Sequence, residues 1–167
     1  RDIVLFVPNG KLRLARGSTS GIRSRGGPED FVEADMLIAH MRGMLEHIEG
    51  MPRMRAPVTG MRVAVETLGE SLRFAGDTIE ECERAGQPTP PPLLDQLREA
   101  ETRIQEGREQ MEQAYEALVR APDRLERMDP QLAEEARMFV GEIGRIMGEL
   151  QGRAEAIVET VRERLNR

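Results

Sequence analysis

From Val58 to Cys82 the apolar residues Val58, Met61, Val65, Leu68, Leu72, Ala75, Ile79 and Cys82 follow one another in unbroken steps of three and four. A run of that kind fits a helix that hides one stripe against other helices. The spacing predicts a helix from about 57 to 85, stopped by Gly86. Before it, residues of about 30–49 repeat Ala34, Leu37, Met41, Met44 and Ile48, widened by Ile38 and Leu45, until Gly50 and Pro52 end the pattern. After the helix-breaking stretch GQPTPPP at 86–92, Leu97, Ala100, Ile104, Gly107, Met111, Ala114 and Leu118 mark a third helix to about residue 121. Asp129-Pro130 reads as the N-cap and first-turn proline of a fourth. Its seam is Ala133, Ala136, Val140, Ile143, Met147, Leu150, Ala154, Ile157 and Val161. At ~1.5 Å per residue that helix should reach about 55 Å, longer than the other three, and overhang the bundle.

Four such ribbons predict an all-α fold, an antiparallel, coiled-coil-like bundle of four helices over residues 29–167. The core chemistry agrees. With no Trp, one Tyr and four Phe, the interior must be built from Leu, Ile, Val, Ala and the ten Met, which suits helix-on-helix packing better than an aromatic-rich sandwich. Leu, Ile, Val and Phe make up 38 of the 167 residues, little above the roughly 20% below which chains tend to stay disordered, so the core is lean. Glu80/Arg84, Glu99/Arg103, Glu116/Arg120 and Glu149/Arg153 place Glu four residues before Arg, as expected on solvated faces. Glycines inside the helices, Gly69, Gly76, Gly141, Gly144, Gly148 and Gly152, each cost about 1 kcal/mol relative to Ala. Close approach of another helix is the ordinary compensation, and Gly144, Gly148 and Gly152 are expected to form one bare strip on which a partner packs.

Residues 1–28 read as a separate N-terminal arm. Asp2 to Val7 is a β-type run, Pro8-Asn9-Gly10 supplies a turn, and Lys11 to Arg16 alternates polar residues with Leu12 and Leu14, so a β-hairpin is predicted over 2–16. The following GSTSGIRSRGGP, residues 17–28, reads as a flexible tether. Residues 1–27 carry a net charge of +5, with Arg13, Arg16, Arg23 and Arg25 among the cations, whereas the remainder carries −11. A basic arm on an acidic body suits nucleic acid, an anionic membrane surface, or another acidic body.

Patterns for catalysis are weak. His40 and His47, the only histidines, are separated by ~10.5 Å along a helix, too far to share one ion, and Leu37 and Met44 stand where a di-iron bundle needs Glu. His40, Met44, His47 and Met51 share one helix edge and suggest a metal or small-molecule carrier as an alternative, although packing explains the methionines better. Cys82, beside Glu80, Glu81 and Glu83, reads as an inert packed thiol. No Gly-x-Ser-x-Gly elbow or phosphate loop occurs. The Pro88-Thr89-Pro90-Pro91 spacing reads as a stiff connection rather than a polyproline ligand. For nucleic acid, no aromatic interleaves the arm's arginines and the acidic body would repel the polymer, which leaves a nucleic-acid-associated scaffold as the weaker reading.

The expectation is therefore a non-enzymatic assembly module with no cofactor, engaging a protein partner or further copies of itself. Ile3, Leu5, Val7, Leu12, Leu14, Arg13, Arg16, Arg23 and Arg25 of the arm, with Gly144, Gly148 and Gly152, are the expected contact residues. Two strands alone are marginal in water, and Ile3 to Val7 is apolar on both sides of its pleat, so the arm needs two covers. The single cysteine and the longest apolar run, only Ile3 to Val7, point to a soluble, cytoplasmic chain or part of a large intracellular or virion assembly, without membrane insertion. The sequence starts at Arg1 rather than Met, which leaves room upstream for a native start and a targeting segment.

Overall fold

The structure, a computed structural model, describes the backbone of residues 2–6, 12–16 and 27–167 and the side chains of 27–167. Four helices account for nearly all of the latter: α1 (Pro28–Glu49), α2 (Arg55–Ala85), α3 (Pro91–Glu126) and α4 (Pro130–Leu165). Each starts with or near a proline that forgoes no helical hydrogen bond there. The Asp129 carboxylate accepts from the Leu132 N–H at 3.1 Å and caps α4 as its sequence implies. Gly86, at φ +77°, ends α2 in the left-handed region, and its N–H donates to the Cys82 carbonyl at 3.2 Å.

Antiparallel packing is recorded in the order of the cross-helix contacts. Glu49 meets Arg62, and two turns earlier Arg42 meets Glu66. Along α3 and α4, Arg137 reaches Asp123 and Glu126, Tyr115 donates to the Val140 carbonyl, Arg108 meets Gln151, and Arg162 meets Glu101. α4 closes back on α1, with Phe139 stacked on His47 and Arg153 paired with Asp30. The result is a four-helix ring in which α1 and α3 are diagonal. All eight seam residues of α2 are buried, and most of the seams expected for the other helices are too. Leu37, Met44, Ala114 and Met147 are only half-buried, and Ile146 is a fully buried residue that the period-seven reading missed.

Two expectations about length fail together. α3 does not stop at Ala121 but continues through Pro122 to Glu126. Pro122 removes one backbone donor, yet it is buried, Leu125 beyond it is fully buried, and Asp123 and Glu126 both bind Arg137 of α4, so tertiary contacts carry the helix across the proline. α4 is consequently no longer than α3, each having 36 residues, and the short member is α1 with 22. No helix among the described residues is long and apolar enough to cross a membrane.

The backbones of β1 (Asp2–Phe6) and β2 (Leu12–Arg16) pair antiparallel, with Val4 opposite Leu14, Leu5 opposite Arg13 and Phe6 opposite Leu12, and β1 lies alongside α1. Residues 7–11 and 17–26, which hold the turn and tether read from the sequence, lie outside the described residues.

Candidate functional site

The shortness of α1 leaves a step in the bundle. The first turn of α1 is level with Gly76 of α2, where Phe31 sits so close that an added Cβ would lie 3.1 Å from its ring, and with Arg153 of α4, which pairs with Asp30 at 2.7 Å. The Asp30 carboxylate in that pair is nearly fully buried, while Arg153 keeps about a third of its side chain in solvent. Past this level α2 continues nine residues to Ala85 and α4 twelve to Leu165, about 13 Å and 18 Å. There α2, α3 and α4 form a three-helix foot.

Helical periodicity carries the face that met α1 onward to Glu80 and Glu83 on α2 and to Ala156, Thr160 and Arg164 on α4. Ala156 and Thr160 are half-exposed and small. The Arg164 guanidinium, with only 12% of its side chain exposed, crosses to Glu83 at 2.7 Å and joins two helices that α1 separates higher up. Cys82 lies buried beside that bridge, and burial, more than its neighbours Glu81 and Glu83, pushes its thiol up while Arg164 pulls the other way. The buried core position that the periodicity assigns to Cys82, more than its acidic neighbours, sets that direction.

Carboxylates gather around the step. Asp77, Glu80, Glu81 and Glu83 fall within seven residues of α2, Glu29, Asp30 and Glu33 open α1, and Glu155, Glu159 and Glu163 lie on the last turns of α4. The chain of residues 1–26 joins the bundle at this place. Of the expected contact residues, Ile3, Leu5, Leu12, Arg13, Leu14 and Arg16 fall in the paired strands, and Val7, Arg23 and Arg25 lie outside the described residues. The register groups Leu12 and Leu14 with Phe6 and Val4, two residues that the sequence reading did not select, because alternation in one strand alone does not reveal its cross-strand partners.

The glycine strip does not form within the chain. Four-residue steps on a helix of 3.6 residues per turn drift by about 40° each, so Gly144 faces α3 whereas Gly148 and Gly152 turn outward and have no atom near the place of an added Cβ. Gly144 instead receives Tyr115, whose hydroxyl donates to the Val140 carbonyl at 3.0 Å and would lie 2.2 Å from an alanine Cβ. Burial raises the Tyr115 phenol's pKa. At Gly107 the backbone of α2 approaches α3, with the Leu68 Cα 3.3 Å from an added Cβ, and this glycine was legible only as a small residue in a seam.

The carrier residues are placed on the outside. His40 and His47 are exposed, His47 stacked on Phe139 at 4.2 Å between ring centroids, while the core beside them is filled by Met41, Leu45 and Ile48. Met44 and Met51 are half-buried. No group of three or more His, Cys, Asp or Glu among the described residues could hold a metal ion. Exposed large apolar residues, Met36, Val63, Val119, Met128 and Met138, are distributed over all four helices and the loop before α4. No family model, curated protein or solved structure matches this chain.

Proposed function

We propose that this chain is a non-enzymatic assembly module, a helical bundle whose basic, apolar N-terminal arm packs against a neighbouring copy or a protein partner. The observation that carries the reading is the step: a short first helix leaves an acid-rimmed end of the bundle incomplete on one side, where a segment of opposite charge and apolar sequence enters. An arm whose first strand is apolar at every position from Ile3 to Phe6 can rest one face on the bundle and still present another. That remaining face, with unpaired strand edges, is the kind of surface that adds to a second sheet or closes a symmetric dimer. Removal of residues 1–27 with measurement of mass in solution tests it. Loss of an oligomer or of a copurifying protein supports the reading; an unchanged assembly state with unchanged partners ends it.

A further inference from the structure

We infer that β1 lies over the outer face of its own α1, along the line of Val32, Met36, Ala39 and Gly43. Two independent observations converge on that face. The first is where the strand runs. Among the described residues, β1 lies alongside α1 and alongside no other helix. Both flanks of α1 are already taken, towards α2 by Arg42–Glu66 and Glu49–Arg62 and towards α4 by Asp30–Arg153 and the His47–Phe139 stack. A strand lying in either groove would border the second helix of that groove as well. One that borders α1 alone lies on the ridge between the grooves, which is the outer face.

The second is what that ridge is made of. Steps of four, three and four put Val32, Met36, Ala39 and Gly43 on one line, opposite the buried Ala34, Ile38, Met41 and Leu45. Met36 is 59% exposed, Ala39 is exposed, and an added Cβ at Gly43 would meet nothing. No charge interrupts this line, whereas the outer lines of the other helices carry Glu70 and Asp77 on α2, Glu106 and Glu109 on α3, and Glu134 and Arg145 on α4. A helix that is apolar outside as well as inside is one that something covers. Eleven helical residues from Val32 to Gly43 span about 16 Å, and the five residues of β1 about 17 Å. β1 is apolar in sequence at every position from Ile3 to Phe6, so either side of its pleat suits an uncharged ridge. This seat stands apart from the assembly reading, which concerns only the side of the arm turned away from α1.

Full-length chains carrying Ala39→Cys with either Val4→Cys or Leu5→Cys test the seat, with a short bis-maleimide as cross-linker. Cys82, 2% exposed, is spared. Consecutive strand positions lie on opposite sides of the pleat, so one of the two pairs should give a cross-linked monomer. Its yield should be roughly tenfold above that of the same strand position paired with Val119→Cys, which is exposed on α3, the helix diagonal to α1. Adding Met36→Arg should cut the yield several-fold while the helical circular dichroism stays unchanged, because that side chain packs on no core. The yield should hold in about 1 M salt, where the screening length is about 3 Å. A covalent dimer as the main product, equal yields with Val119→Cys, or a yield indifferent to Met36→Arg overturns the inference. Collapse in salt overturns it too, since the acidic body rather than the apolar ridge would then hold the basic arm. Mass in solution after deletion of residues 1–27 reads the assembly function separately. A cross-linked monomer with unaltered assembly keeps the seat and removes that function, and the reverse result keeps the function and removes the seat.

Discussion

The four-helix section and the three-helix foot are built from the same helices and differ in how they are closed. In the upper section α1 is stitched on both sides, to α2 by Arg42–Glu66 and Glu49–Arg62 and to α4 by Asp30–Arg153, over a core of Met41, Leu45, Ile48, Met61 and Leu68 that is sealed from solvent. In the foot, Leu97, Ile157 and Val161 are just as buried, but one flank of α2 and of α4 has lost its helical neighbour, and Arg164 crosses from α4 to Glu83 of α2. Burial alone therefore does not separate a finished cross-section from an unfinished one; the flanking contacts do.

The largest effect should come from the sealed section. Leu45→Ala is expected to cost about 2–5 kcal/mol in urea denaturation, because a fully buried side chain is lost from a site braced on both sides. A cost near zero would mean that α1 is not an integral layer. Gly144→Ala should cost about 1–3 kcal/mol by driving Tyr115 off the Val140 carbonyl, and Tyr115→Ala in the same chain should recover part of that loss. Strict additivity of the two would break the packing account. Asp129→Ala, at the cap between the upper ends of α3 and α4, is expected to cost about 1 kcal/mol.

Smaller effects probe the foot and the stitching of α1. Arg164→Gln should cost less than about 1 kcal/mol, since Glu83 is well exposed, yet speed amide exchange in 77–85 and 156–165 relative to 61–72 and 140–150. Uniform exchange along α2 and α4 would mean that the foot is closed as firmly as the upper section. Glu49 and Glu66 are held below the ordinary glutamate range, chiefly by hydrogen bonds from Arg62 and Arg42. With the folded value the lower one, their stabilisation is complete above the unfolded pKa of about 4.3 and is lost as pH falls through the folded value. Acid titration of stability should thus be shallower below that point in the Glu49→Gln/Glu66→Gln variant, and an unchanged slope would remove these pairs from the account.

Much of the bundle is legible in the chain because its information is local and periodic. The α2 seam from Val58 to Cys82 is buried at every predicted position, and the Asp129 cap forms as written. What escapes the sequence is non-local. Pro122 looks like a terminator until Asp123 and Glu126 are seen to hold Arg137. Of the four Glu/Arg pairs at four-residue spacing, only Glu99–Arg103 forms, because Arg153 turns instead to Asp30 across the α1–α4 seam, 123 residues away, and Glu149 is taken by Arg145. Gly144 was legible as an odd residue in a helix but not as a notch for Tyr115, since the two are brought together by helix register alone. The step beneath α1 has no motif at all: it follows from the difference between 22 and 36 residues, which matters only once the ends are aligned.

The notch at Gly144 also equips the molecule with an intrinsic reporter. Tyr115 is the only tyrosine in a chain without tryptophan, and its ring lies in the α3–α4 seam against Gly144 with its hydroxyl on Val140. Near-ultraviolet emission from the native chain comes mainly from that one seam, so separation of the last two helices is visible without a label and can be timed apart from events at the far end of the bundle.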